Sequence, residues 1–221
     1  MNNRHRSMAI LLISLTCLVP SAVFAQFAVG VKAGNWSEYN VSFTGTPMVG
    51  HDATWARMQI DAVEGSQVNV TFSSRLADGT LENATENLNF ATGRFIDYFV
   101  IPSDLTEGDS FYDQTLGNNV SIHLVGAKNY AGADRTIISG TTPETQWYWD
   151  QATGVLVEAR SVYEDFTLDT IISKTDLWNA QQRILGLDPL IFFALAFVFV
   201  IVIVAVALIM FGRKRASNHK I

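Results

Sequence analysis

Cysteine is almost absent. The one copy, Cys17, sits in an apolar N-terminal stretch behind "SLT", which does not resemble a lipoprotein-processing box. Beyond that stretch, disulfides and thiol catalysis are excluded. Basic residues are scarce in the middle of the chain. Between Gln26 and Asp188 only Lys32, Arg57, Arg75, Arg94, Lys128, Arg135, Arg160, Lys174 and Arg183 carry positive charge, whereas all 21 Asp and Glu residues fall there. Such a surface repels phosphate backbones, so nucleic acid is excluded as a partner. Catalytic signatures are missing as well: the chain holds no Gly-rich phosphate loop, no His-Glu-x-x-His, no Gly-x-Ser-x-Gly and no EF-hand loop. In the region after Gln26 and before the last apolar run only His51, beside Asp52, and His123 are histidines. Lone histidines of this kind are more often surface residues than ligands, so no metal and no cofactor is expected. The acidic pair Glu164-Asp165 has the chemistry to flank a sugar, but a chain this acidic supplies such pairs by chance.

The two ends are richer in information. Arg4 and Arg6 precede an apolar stretch from Met8 to Val19, then Pro20 and the small-residue ending Val23-Phe24-Ala25. That order is a secretory signal peptide with cleavage before Gln26; its apolar part is short of the ~20 residues that a span needs. From Pro189 to Phe211 the chain has no charge at all, which reads as a transmembrane helix. Arg213, Lys214 and Arg215 follow it and Asp188 precedes it. Positive residues stay cytoplasmic, so these three set the membrane orientation with the N-terminal domain outside. The expected organisation is a signal peptide over 1–25, an extracellular β domain over 26–175, and a juxtamembrane helix or linker over 176–188. A transmembrane helix over 189–211 and a basic cytoplasmic tail over 212–221 complete it.

Between the ends, period-two alternation dominates. Tyr39, Val41 and Phe43 share one face against Asn40 and Ser42, and Val68, Val70 and Phe72 oppose Asn69 and Thr71. "NVSIHL" repeats the scheme with Val120, Ile122 and Leu124 inward. Further strands are expected at 55–63, 80–90, 94–101, 135–139, 146–150, 155–163 and 166–173, separated by Gly-containing turns. The fold class is all-β, an antiparallel meander that is curved into a half-barrel or sandwiched, plus one C-terminal transmembrane helix. Leu177, Trp178, Ile184 and Leu185 predict a short amphipathic helix over 175–187.

Asn-x-Ser/Thr occurs at Asn35, Asn40, Asn69, Asn83 and Asn119. A saccharide needs an exposed site, and alternation alone puts Asn40, Asn69 and Asn119 on polar faces. All five are glycosylation candidates. If they are used, part of the sheet is coated.

"WYWDQATGVLVEA", residues 147–159, reads as a hairpin with Trp147 and Trp149 on one face. This hairpin and "FIDYFVIP" are apolar on both faces, so something must cover them. Core packing is the first reading; an apolar-ligand wall of Phe95, Phe99, Trp147 and Trp149 is the second. The order of "VKAGNWSEYNV", "LTEGDSFY", "GADRTIISG" and "YWDQATGVLVEA" resembles secreted, membrane-anchored archaeal β-domain proteins of unknown function. More distantly it is similar to the curved β-sheets of LolA-type lipoprotein carriers. The second resemblance implies a concave face that takes acyl chains; a C-terminal span is a departure from it. Function is expected to be non-catalytic: a single-pass cell-surface glycoprotein with structural or protein-interaction roles at the envelope. The partners are the membrane, and other envelope proteins or lipid. The alternatives are a lipid-binding module and a surface hydrolase without a recognisable motif.

Overall fold

Alternating residues become strand wherever one face can be buried. The computed structural model describes residues 27–48, 51–181 and 185–217; the expected signal peptide and its cleavage point lie outside them. Among the described residues the strands are β1 (Trp36–Gly45), β2 (Ala53–Glu64), β3 (Gln67–Leu76), β4 (Leu81–Asn89), β5 (Ser110–Asp113), β6 (Asn118–Ser121), β7 (His123–Tyr130), β8 (Ala133–Thr141), β9 (Thr145–Asp150), β10 (Leu156–Val162) and β11 (Phe166–Thr175). Nine of them form one antiparallel sheet in the order β4-β3-β2-β1-β11-β10-β9-β8-β7, and β5 and β6 pair separately. Two meanders are thus joined through β1 and β11, where Val41 faces Thr170.

Tyr39, Met58, Ile60, Val68, Val70, Ile138, Trp149 and Ile172 point into a single core. Bulges at Glu38/Tyr39, Ile60/Ala62 and Leu156/Glu158 bend their strands. The sheet is curled as a result. Phe90, directly after β4, reaches Trp147 on β9 through three ring contacts: Phe90–Phe95 at 5.6 Å, Phe95–Tyr98 at 5.9 Å and Tyr98–Trp147 at 5.1 Å. In a flat sheet those two strands would stand about 29 Å apart. The edges β4 and β7 do not pair with each other, so the curl stays open.

The expected strand over 94–101 does not form. Only isolated bridges, Asn89 with Arg94 and Val100 with Val155, remain there. Being apolar on both sides, this segment leaves the sheet and crosses its inner face as a cover. Its backbone is satisfied on the way: Ile101 N donates to Gly154 O (2.9 Å) and Leu156 N to Phe99 O (2.9 Å). "NVSIHL" is likewise divided. Val120 belongs to β6 and Leu124 to β7, while Ile122 between them is tied to the 106–109 loop through Gly108 N→Ile122 O and Ile122 N→Asp109 O. Leu124 is therefore half exposed rather than inward.

The amphipathic helix expected over 175–187 is also absent in its described part. β11 runs to Thr175, and residues 176–181 continue as an irregular strap. Its aromatic finds a long-range partner instead of a helical neighbour: Trp178 Nε1 donates to Tyr130 O (3.1 Å), and Gln181 N to Gly132 O (2.7 Å). Ile184 of that expectation lies outside the described residues, and Leu185 is exposed. A helix, α1 (Pro189–Ser217), ends the described chain. Its 29 residues rise about 43 Å, more than the ~30 Å hydrocarbon core. Pro189–Val206 has a mean hydropathy of 3.2 and no part buried, so it is long and apolar enough to cross a membrane.

Candidate functional site

The sheet's curl brings Trp147 and Trp149 of the inner face against the crossing segment, which itself carries Phe95 and Phe99. Trp147 and Trp149 alternate inward on β9 and stack at 6.4 Å and 11°. Tyr98 meets both edge-on, at 5.1 Å and 6.5 Å. Phe95 packs on Phe111 of β5 (4.9 Å), and Phe111 on Trp149 (6.2 Å). Phe99 turns to the other meander and touches Phe72 (5.0 Å) and Tyr39 (5.2 Å). Phe95, Trp147 and Trp149 are buried and Phe99 is half-buried. Trp149 is fixed further by its indole Nε1, which donates to Tyr98 O at 2.7 Å. Phe95, Trp147 and Trp149 thus share one cluster with Tyr98 and Phe111, while Phe99 packs on Tyr39 and Phe72 of the other meander, and all these partners belong to the same chain.

Where the cover meets solvent it leaves two half-open recesses. One, of about 310 Å³, lies between Phe95–Tyr98, Asp113, Thr115, Leu116 and Trp147. The other, of about 340 Å³, lies on the far side of Phe95 and Ile96 against Arg94, Gln114 and Thr115. Both stand at the lower end of the ~300–1,000 Å³ typical of ligand sites. Asp97 and Tyr98 at the first recess have φ of 45° and 48°, a left-handed conformation that costs non-glycine residues of order 1–3 kcal/mol. Alternation in the sequence gives no sign of this pair. Surrounding protein pushes the Asp97 carboxyl above its usual range, with Glu86 adding to the shift and His51 opposing it. Burial likewise raises the Tyr98 hydroxyl, helped by its hydrogen bond to Asp113 and the charges of Asp113 and Asp97. Asp113 is itself occupied, accepting from Leu116 N at 2.6 Å. Chemically the recess offers acceptors and apolar walls of modest area.

On the outer face the strap docks on a polar cluster that the sequence did not single out. Arg135 of β8 lies 4.9 Å from the centre of the Trp178 ring. It also holds the buried Asp150 through Nε (2.7 Å) and Nη2 (3.1 Å). Thr153 N and Oγ1 complete that carboxylate's bonds at 3.0 and 2.8 Å. The tight turn expected after Asp150 is present, with Gly154 at φ 69°. Tyr130 donates to Glu158, and Lys128 Nζ sits 4.7 Å over Tyr148. The nearest signal in the sequence is "GADRT", a turn followed by a lone Arg in a strand, which gives no partner.

Among the glycosylation candidates, Asn40, Asn83 and Asn119 are exposed, Asn69 is half-buried, and Asn35 is 7% exposed. His123 is exposed at the start of β7. The His51 ring packs edge-on against Tyr163 (6.1 Å) and Phe166 (5.8 Å). Glu164 and Asp165 form the β10–β11 turn, where Asp165 O accepts from Thr46 N. Arg213, Lys214 and Arg215 fall in the last turns of α1.

No family model and no curated protein matches the chain. Among solved structures it is similar to MucB, with a TM-score of 0.39 and 10% identity over 72% of this chain and 58% of that one. A chain of the MucA/MucB complex of Pseudomonas aeruginosa gives 0.39 and 11% over 68% and 53%. The siderocalin Ex-FABP gives 0.24 and 11% over 63% and 70%. The chain spans a little over half the length of the two MucB-related chains. Scores of this size establish neither family nor activity.

Proposed function

We propose that the chain is a single-pass surface protein whose β domain stands outside the membrane and works by binding, without catalysis. The observation that carries this reading is the occupied inner face: Trp149 is fully buried and hydrogen-bonded to Tyr98 O by residues of its own chain. An interior filled in this way favours contact with other envelope proteins over carriage of lipid. The apolar α1 supports membrane attachment, and Arg213, Lys214 and Arg215 support a cytoplasmic C-terminus. The test is protease treatment of intact cells carrying the full chain with a C-terminal tag. Loss of the β domain with a protected C-terminal fragment that holds α1 and the tag is expected. A protected β domain with a digested tag would refute the orientation.

A second reading, an apolar-ligand module of the LolA type, is favoured by one feature. The cover over the inner face is a crossing segment with strained residues at Asp97, Tyr98 and Asp104, and it is bordered by recesses. Photoactivatable fatty acid added to membranes containing the full chain separates the two. Adducts confined to α1 support the packed interior; adducts on peptides 95–101 or 147–157 support the ligand module.

A further inference from the structure

The five Asn-x-Ser/Thr tripeptides are equivalent in sequence and unequal in the fold. In a strand, residues i and i+2 share a face, so each tripeptide within a strand presents its asparagine and its hydroxyl on the same side. Tyr39, Val68 and Val70 are fully buried. Asn40 with Ser42, and Asn69 with Thr71, therefore face outward. Asn83 is the cross-strand partner of Ser73, and the next pair, Phe72 with Ala84, belongs to the inner face where Phe72 meets Phe99. Asn83 and Thr85 are outward too, and Thr71 and Thr85 lie 3.2 Å apart through their hydroxyl oxygens. Three acceptors thus rise from one face of the β1–β4 meander.

Asn35 is the opposite case. It and Ser37 share the inward side with Tyr39, and Ser37 is fully buried against Thr175 Oγ1 at 3.0 Å. The atoms used differ as well. In Asn69 and Asn83 it is the carbonyl Oδ1 that is engaged, accepting from Asn87 Nδ2 (2.6 Å) and Ser73 Oγ (2.6 Å). In Asn35 the amide Nδ2, the atom that would carry a sugar, donates to Asp176 Oδ2 (3.4 Å), while Oδ1 accepts from Lys32 N (2.9 Å). A saccharide on Asn35 would have to displace the Asp176 contact and part the start of β1 from the end of β11.

We propose that Asn40, Asn69 and Asn83 carry N-linked saccharides that coat the outer face of β1–β4, and that Asn35 of the folded protein carries none. This rests on the reading that the domain stands outside. In the transfer, the amide Nδ2 bonds to the anomeric carbon of a saccharide held on a membrane lipid phosphate, and the anomeric carbon–oxygen bond breaks. The electron pair leaves with the phosphate and Nδ2 loses one proton. The coat also accounts for Ile171, an exposed apolar residue of β11 directly opposite Asn40. With Trp55 on its other side, it flanks the first sugar with apolar surface.

The test is glycopeptide mass spectrometry on the full chain extracted from the membranes of an N-glycosylating host, with deglycosylation in heavy-oxygen water to mark each used site. Label at Asn40, Asn69 and Asn83 and its absence at Asn35 are expected. Replacing those three by Gln should remove three mobility steps without altering the circular dichroism of the domain. Label at Asn35 overturns the proposal, as does a bare Asn40, Asn69 or Asn83 in a chain labelled at Asn119. If all five are bare, the outward orientation fails and the coat fails with it.

Discussion

Trp149 joins the sheet to its cover both by ring contact with Tyr98 and by the hydrogen bond to Tyr98 O. Trp149→Ala is expected to cost about 3–5 kcal/mol, read as a lowered midpoint in chemical denaturation of the full chain. At Gly154 the limit is backbone geometry. Its φ is 69°, and an added Cβ would lie 2.1 Å from Ile101 O. Gly154→Ala should cost more than about 1 kcal/mol by the same assay. Asp97 is expected to behave in the reverse way. Its carboxyl is raised in the fold, so the folded state disfavours the charged form and loses stability as pH rises from the unfolded value of about 3.9 through the raised one. Because Asp97 is solvent-exposed as a residue, Asp97→Asn should raise the thermal midpoint at neutral pH only slightly, with the pH-dependent part of the gain vanishing once the acid form is complete. A gain equally large at every pH would show that relief of charge plays no part. Residue roles were legible here where burial is one-sided, as at Tyr39 and Val70. At Asp150 the bond to a backbone NH of its own turn was legible and is made by Thr153 N, whereas the ion pair with Arg135 of the neighbouring strand was hidden, as was the setting of Asp97 near Glu86 and His51.

Among the elements, the strap over 176–181 ties the chain that follows β11 back onto β7 and β8. Trp178→Ala removes the contact with Arg135 and the bond to Tyr130 O, worth together about 1–3 kcal/mol. Limited proteolysis should then cut within 176–181 while β1–β11 stay folded. Retained resistance would place the anchoring elsewhere. Gly132, at φ 81°, lies so close that an added Cβ would meet the Ala180 Cβ at 2.8 Å, so Gly132→Ala should release the same strap. The sequence misleads at this element for a physical reason. Apolar residues at near-helical spacing predicted a helix, whereas Trp178 spends its apolar face on a cation 43 residues upstream in β8. The 94–101 segment misleads similarly, since an apolar run on both sides fits a doubly covered strand as well as a cover. The clean alternators β1 and β3 were legible because each has solvent on one side and core on the other.

For the whole molecule, a sheet curled around its own chain leaves little open volume among the described residues. Open to solvent there are the recesses beside the cover and the two sheet edges, with Leu81 exposed on β4 and Leu124 and Val125 on β7. The all-β class and the terminal apolar helix could be read from the sequence because both are set by local pattern. The open curl and the crossing cover could not, since they depend on contacts such as Phe72 with Phe99. The packed interior is tested most directly by hydrogen exchange on the full chain in lipid nanodiscs, following the amides of Ile101 and Leu156 that bond to Gly154 O and Phe99 O. Exchange as slow as that of the amides paired between β1 and β11 is expected if the crossing segment is core. Exchange at loop rates while the β1–β11 pairing remains protected would make the segment a lid, and the interior a site for something else.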